Sequence, residues 1–268
     1  MKRLGIIGGG AMGSAIIHGI LTNNIITPEE LFLLELDREK RNLLQQQYGL
    51  NLVESLQQLT QSCDTIILAI KPQVVPLLAA ELKQYTSEAH LIISIVAGIT
   101  LDYFENEIPL PRFIRVMPNT PAKIGKAVSV YCTGSKATGK DCQTTELIFG
   151  AIGTVLRLNE SQMDAATAVS GSGPAYVFYL IEAMVDAGVM LGLTRNDSFN
   201  LVVGTFIGAA EMLRESGEHP AKLSNDVTSP GGTTAAALYE LQQNAVAGSI
   251  MKALKAAAER SQALGRRN

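Results

Sequence analysis

The chain has 268 residues, of which 47% are hydrophobic and 18% charged, with a formal net charge of −3 and no Trp. That length suits one large domain or two modest ones with a real core. The charge argues against a general nucleic-acid surface, and no apolar run approaches the length needed to span a bilayer. Cys63, Cys132 and Cys142 are an odd number without C-x-x-C spacing, which points to reduced thiols in the cytoplasm and away from a disulfide framework or any metal site.

Met1-Lys2-Arg3 ahead of an apolar run mimics a signal peptide. Glycines interrupt that run after four residues, however, and a strand at Leu4–Ile7 fits better. A helix is expected from Ala11 to Leu21, a strand at Leu31–Leu34, and a polar-faced helix from Arg38 to Tyr48 ending at Gly49. Further strands are expected at Thr65–Ile70, Leu91–Val96 and Phe113–Met117, with a helix after Lys71-Pro72 running through Leu82. Val128–Tyr131 and Thr154–Leu158 read as edge strands. Short apolar runs alternating with helices indicate a parallel sheet buried on both faces.

The pattern changes near Asn159. From Ser161 onward only helices are expected: Tyr176–Leu191, Asp197–Arg214, Thr233–Gln243 and Ala245–Ala263, with breaks at Gly192, Gly217 and Gly231-Gly232. The reading is therefore an α/β protein: a Rossmann-type parallel-sheet domain over 1–159 and an all-helical domain over 160–268. The helical part is rich in Ala and Gly, with Gly188, Gly192, Gly204 and Gly208 at spacings that allow close helix approach. Being apolar on more than one face, it is expected to complete its core against a second subunit.

Gly8-Gly9-Gly10-Ala11-Met12-Gly13 matches G-x-G-x-x-G between a strand and a helix, the context a dinucleotide fingerprint requires. Gly8 permits the tight turn, Gly10 lets a pyrophosphate approach the backbone, and Gly13 lets helix and strand pack closely. At the end of the second strand an acid favours NAD and a cation favours NADP. Glu35, with Asp37 as its alternative, and Arg38 supply both signals, so the cofactor is left as NADP(H) or NAD(H). Loops at other strand ends, Ala69-Ile70-Lys71-Pro72, Ala97-Gly98 and the segment around Asn119, would line the crevice for the nicotinamide half.

Between Thr228 and Thr234 the chain reads T-S-P-G-G-T-T. Proline and two glycines force a turn, hydroxyls surround it, and Thr233 and Thr234 open the next helix. A helix start rich in free donors can hold a small carboxylate. None of the three histidines lies beside a motif in the manner of a general base.

Five strings, G-G-G-A-M-G at the start, A-I-K-P-Q at 69–73, R-V-M-P-N-T-P-A at 115–122, V-S-G-S-G-P-A-Y at 169–176 and D-V-T-S-P-G-G-T-T at 226–234, together resemble the pyrroline-5-carboxylate reductase family over essentially the whole chain. The resemblance implies reduction of a cyclic imino acid, 1-pyrroline-5-carboxylate, to L-proline with hydride from NADPH or NADH. It implies a helical domain that interlocks two subunits, in dimers often assembled further into decamers. It also implies that Ser229, Gly231, Gly232 and Thr233 hold the substrate carboxylate, that Thr234 lies near the imine nitrogen, and that the Lys71-Pro72 and Ala97-Gly98 loops contact the nicotinamide end. Leu56 stands where many members carry an Asn that touches the adenosine ribose. Glu35 and Asp37 stand where NADPH-preferring members usually place small hydroxyl or basic residues.

Two rival readings are a β-hydroxyacid dehydrogenase and a non-catalytic NAD(P)-binding regulator. The first needs a proton acceptor for an alcohol, and the segment from Gly173 to Thr194 contains no Lys or His. The second has no need for a hydroxyl-lined loop.

Overall fold

The computed structural model of the chain describes residues 3–265; the terminal Arg266-Arg267 pair lies outside them. The elements follow the alternation read from the sequence. They are β1 (Leu4–Ile7), α1 (Ala11–Thr22), β2 (Leu31–Leu34), α2 (Arg38–Tyr48), β3 (Asn51–Leu52), α3 (Leu56–Ser62), β4 (Thr65–Leu68), α4 (Val75–Tyr85), β5 (Leu91–Ser94), α5 (Leu101–Glu107), β6 (Arg112–Met117), β7 (Ala127–Thr133), α6 (Gly139–Gly150) and β8 (Gly153–Arg157). After Arg157 the described residues contain only helices: α7 (Met163–Ala166) running into a π-helical turn (Thr167–Gly171), α8 (Gly173–Met190), α9 (Arg195–Ser216), α10 (Pro220–Asp226), α11 (Thr233–Gln243) and α12 (Val246–Gly265).

The strands form one sheet in the order β3-β2-β1-β4-β5-β6-β7-β8. All neighbours pair in parallel except β6 and β7. The first six strand positions are those of a Rossmann sheet. Two corrections concern β7 and β8, both expected at the edge. Only β8 is there, because β7 lies between β6 and β8 and turns antiparallel to β6. The sequence reading also omitted β3, α3, α5, α6, α7 and α10.

Side chains alternate between two cores, one on each face of the sheet. Leu4, Ile6, Ile67, Leu91 and Ile93 meet Ile16, Ile17 and Ile20 of α1 and Phe149 of α6 on one face. Ile7, Ile66, Leu68 and Ile92 meet Leu59, Val75, Leu82 and Phe104 on the other. The period of two explains why every residue of β1, β4 and β5 is buried.

At the far side of the sheet, β6 is tied to α6 through one charged cluster. Arg112 reaches Asp141 with Nε at 2.9 Å and Nη2 at 3.2 Å, and also donates to the Glu88 carbonyl. The Thr138 hydroxyl and amide donate to the same carboxylate at 2.7 and 2.8 Å, closing a capping box on α6. Burial pushes the Asp141 carboxyl up, but Arg112 and Thr138 outweigh it and hold its pKa below the ordinary value. Asp141→Asn should lower unfolding free energy at neutral pH by about 3 kcal/mol, since it leaves a half-buried guanidinium without its charge partner. A depressed folded pKa gives stability that is present above the unfolded value and lost as pH falls through the folded one. Denaturant titrations should therefore show the gap between the two proteins closing below about pH 4.

Internal contacts divide the chain into two compact units, one ending at Ser172 and regaining the chain from Ala256, the other spanning Gly173–Lys255. The second unit buries only Val185, Ser198 and Val202. Its α8 and α9 touch where a Cβ on Gly188 would stand 2.1 Å from the Ser198 hydroxyl, which itself donates to the Val185 carbonyl at 2.8 Å. Gly192 supplies a turn at φ +98°, whereas Gly204 and Gly208 face open space. Only the first of the four glycines noted in the sequence thus makes a close approach within the chain.

Candidate active site

β1 and β4 are neighbours that lead to opposite flanks of the sheet, so their carboxyl ends open a crevice at the point where strand order reverses. The chain leaves β1 through Gly8, at φ +101°, where a Cβ would lie 2.5 Å from the Ala69 carbonyl oxygen; only glycine fits. A Cβ on Gly13 would lie 2.1 Å from the Gly8 carbonyl oxygen, which fixes the close approach of α1 to the loop. Gly10 differs: it is the N-cap of α1, and a Cβ there would meet nothing within 4 Å.

No side chain caps α1. Its first intrahelical bond runs from the Ser14 amide to the Gly10 carbonyl at 2.8 Å, so the amides of Ala11, Met12 and Gly13 point forward from the helix start. Ser14 braces the loop by donating from its hydroxyl to the Gly9 carbonyl at 2.8 Å. Open space over Gly10 against an uncapped helix start is what a pyrophosphate requires, and the residues fit a dinucleotide.

A cleft of about 470 Å³ runs from this loop, lined by Gly8, Gly10, Glu35, Lys40, Ala69 and Lys71 among the polar and small residues. Seven of the residues singled out in the sequence thus share one cavity: Gly8, Gly10, Glu35, Leu56, Ala69, Ile70 and Lys71. Leu36 and Leu77 line it too and are 90% and 77% exposed. Sequence reasoning missed both, since a lone Leu after a strand or on a helix carries no motif. Such apolar surface suits the flat face of a base.

The remaining predicted residues stand apart from that cavity. Pro72 begins a short 3-10 turn before α4. Arg38 is exposed at the first turn of α2. Gly98, at φ +75°, is buried beneath Leu264 of α12, while Ala97 is exposed. Asn119 is buried with both ends of its amide engaged: Nδ2 donates to the Ser170 carbonyl at 3.0 Å and Oδ1 accepts from the Val128 amide at 2.9 Å. It thereby clamps the π-helical turn, a feature with no sequence signature.

In the second unit the T-S-P-G-G-T-T turn has Gly231 at φ +67° and Gly232 as an N-cap whose start is again without a side-chain cap. A Cβ on Gly232 would stand 2.4 Å from the Ser229 hydroxyl. The Thr228 hydroxyl is engaged with the Ser224 carbonyl at 2.6 Å. Those of Ser229, Thr233 and Thr234 form no hydrogen bond among the described residues. The turn therefore gathers Ser229, Gly231, Gly232, Thr233 and Thr234 around one helix start with free donors.

The thiols belong to the core. All three are buried, and burial pushes Cys63 and Cys132 up to about 12, far from thiolate chemistry. No group of His, Cys, Asp and Glu that could hold a metal ion occurs among the described residues.

A Rossmann sheet with its glycine cradle, followed in the chain by a helical unit with an open helix start, is the build of a two-part dinucleotide-binding protein. Residues 3–98 match the family described as NADP oxidoreductase coenzyme F420-dependent, and residues 160–264 match pyrroline-5-carboxylate reductase dimerisation. The chain is 39% identical to the pyrroline-5-carboxylate reductase of Arabidopsis thaliana, covering 98% of this chain and 95% of that one. The crystal structure of the Plasmodium falciparum pyrroline carboxylate reductase with NADP bound is 37% identical, with a TM-score of 0.89 and 98% of each chain covered. The Coxiella burnetii pyrroline-5-carboxylate reductase is 31% identical with a TM-score of 0.92, again over 98% of each chain. The chain belongs to the pyrroline-5-carboxylate reductase family.

Proposed function

We propose that the chain reduces 1-pyrroline-5-carboxylate to L-proline with NADPH or NADH, the final step of proline biosynthesis. Full-length likeness to this family carries the reading, supported by the fit of the Gly8–Gly13 cradle to a dinucleotide. When bound, the reduced nicotinamide supplies the hydride. The chain's own residues have a limited task, because a protonated cyclic imine is already an electrophile and its nitrogen keeps its proton in the product. They must hold the carboxylate, align the ring and exclude water.

The uncapped start of α11 supports a carboxylate held by the backbone of Gly231, Gly232 and Thr233 and the Ser229 hydroxyl, with Thr234 hydrogen bonding at the ring nitrogen. The cradle of Gly8, Gly10, Ala11, Met12 and Gly13 holds the pyrophosphate, Glu35 and Arg38 flank the adenosine, and Ala69, Lys71, Pro72, Ala97, Gly98 and Asn119 border the nicotinamide end. Mixing the purified protein with NADH or NADPH and pyrroline-5-carboxylate should bleach the nicotinamide absorbance and yield proline. Bleaching only with a hydroxy acid and NAD(P)+ would assign the rival chemistry.

The reading includes a homodimer built through residues 160–268, with assembly into decamers as the finer expectation, and a cytoplasmic location. No helix among the described residues is long and apolar enough to cross a membrane. The second unit's poverty of buried residues supports the dimer. Tyr179 is 72% exposed, Met190 87%, Leu191 85% and Met251 71%, far more apolar surface than a lone helical unit carries. Sedimentation should return at least twice the mass of one chain. The pair Tyr179→Glu and Met251→Glu should weaken association by at least about a hundredfold, roughly 2.7 kcal/mol.

A further inference from the structure

We propose that Glu35 makes this chain select NADH over NADPH; the inference rests on the dinucleotide reading of the cleft given above. Glu35 directly follows β2 and lines the cleft that also takes in Gly8 and Gly10. A dinucleotide with its pyrophosphate on α1 must place its adenosine ribose at the carboxyl end of this neighbouring strand.

The carboxylate is held in place on both oxygens. Oε2 accepts from the Gly9 amide at 2.6 Å and Oε1 accepts from the Asp37 amide at 2.8 Å. Swinging it away would leave two backbone N–H groups without partners, one of them in the phosphate loop itself. It is therefore a fixed feature of the ribose site. A ribose 2′-hydroxyl can donate to a carboxylate. A 2′-phosphate brings close to two negative charges and only acceptors, so it meets Glu35 as a repulsive neighbour.

Two of the three cations nearby that could offset this repulsion are drawn off by other acids. Lys40, which lines the cleft, pairs with Asp37 at 2.9 Å. Arg41 forks onto Glu54 at 2.6 and 2.8 Å. Arg38, proposed above to flank the adenosine, is exposed at the first turn of α2 and is not among the residues lining the cleft, so solvent and salt screen its charge. Asp37 is itself fixed as the N-cap of α2, accepting from the Glu39 and Lys40 amides. The start of α2 thus presents two hydrogen-bonded carboxylates, with Lys40 and Arg41 already in ion pairs. The Plasmodium falciparum relative was crystallised with NADP, so the selection proposed here belongs to these residues and not to the family as a whole.

Titration calorimetry with NAD+ and NADP+ tests it on the purified protein, independent of turnover. The unaltered chain should bind NAD+ at least about thirtyfold more tightly than NADP+. Glu35→Gln keeps an acceptor for the Gly9 amide and removes the charge, and should narrow that ratio to about threefold or less. Glu35→Ser adds a donor for a phosphate and should bring NADP+ level with NAD+ or ahead of it. Melting curves establish that each variant is folded, and the ratio in the unaltered chain stands whatever they show. Equal or tighter binding of NADP+ by the unaltered chain, or an unchanged ratio in folded Glu35→Gln, overturns the proposal while leaving the dinucleotide site intact. Binding of neither nucleotide would overturn the dinucleotide reading itself, and the proposal with it.

Discussion

Gly10→Val is expected to abolish dinucleotide binding and leave the fold standing. Gly10 has φ −67° and ψ −173°, an extended conformation open to any residue, and a Cβ there would meet nothing within 4 Å. The new side chain fits the protein and fills the space in front of the α1 amides. Calorimetry should show affinity falling by at least about a hundredfold, roughly 2.7 kcal/mol. Loss of a glycine N-cap lowers stability by no more than about 1 kcal/mol. Gly13→Ala is the informative contrast. Its Cβ would stand 2.1 Å from the Gly8 carbonyl oxygen, so helix and loop must separate. That variant should lose binding and also about 1–3 kcal/mol of stability. If Gly10→Val binds as tightly as the unaltered chain, the pyrophosphate lies elsewhere.

These two glycines mark how far the sequence can be read. The spacing of Gly8, Gly10 and Gly13 names a phosphate loop, because each position has its own steric demand and the motif sits between a strand and a helix. Strands buried on both faces, such as Thr65–Leu68 and Leu91–Ser94, are legible as short apolar runs. β3, at two residues, is below any pattern, and α3 reads L-Q-Q-L-T-Q-S, with little apolar stripe to find. β7 was visible as a strand but not as an interior, antiparallel one, since periodicity says nothing about neighbours. The site follows the same division. The hydroxyls of T-S-P-G-G-T-T are local in sequence and could be gathered by eye. The bond from the Gly9 amide to Glu35 and the clamp from Asn119 to Ser170 span 26 and 51 residues. Only the folded sheet brings such partners together, and they decide which donors are left for a ligand.

Thr234→Ala should slow the reaction far more than it weakens cofactor binding. Thr234 is the second residue of α11, half-buried, with a hydroxyl that forms no hydrogen bond among the described residues. Alanine is a better helix former than threonine, so the helix itself should not suffer. What disappears is one donor and acceptor at the proposed position of the ring nitrogen. A hydrogen bond to a charged group is worth about 1.5–3 kcal/mol, which predicts a fall in kcat/KM for the imine of roughly 10- to 150-fold. Nucleotide affinity by calorimetry should change by less than about twofold, because the proposed pyrophosphate cradle lies at the start of α1. Thr234→Ser restores the hydroxyl without the methyl and should recover most of the rate. A folded Thr234→Ala protein with an unaltered rate removes this hydroxyl from the chemistry and leaves the Gly231–Thr233 backbone as the whole of the carboxylate site. Loss of rate in both variants alike would point instead to the methyl group and to packing of the substrate ring.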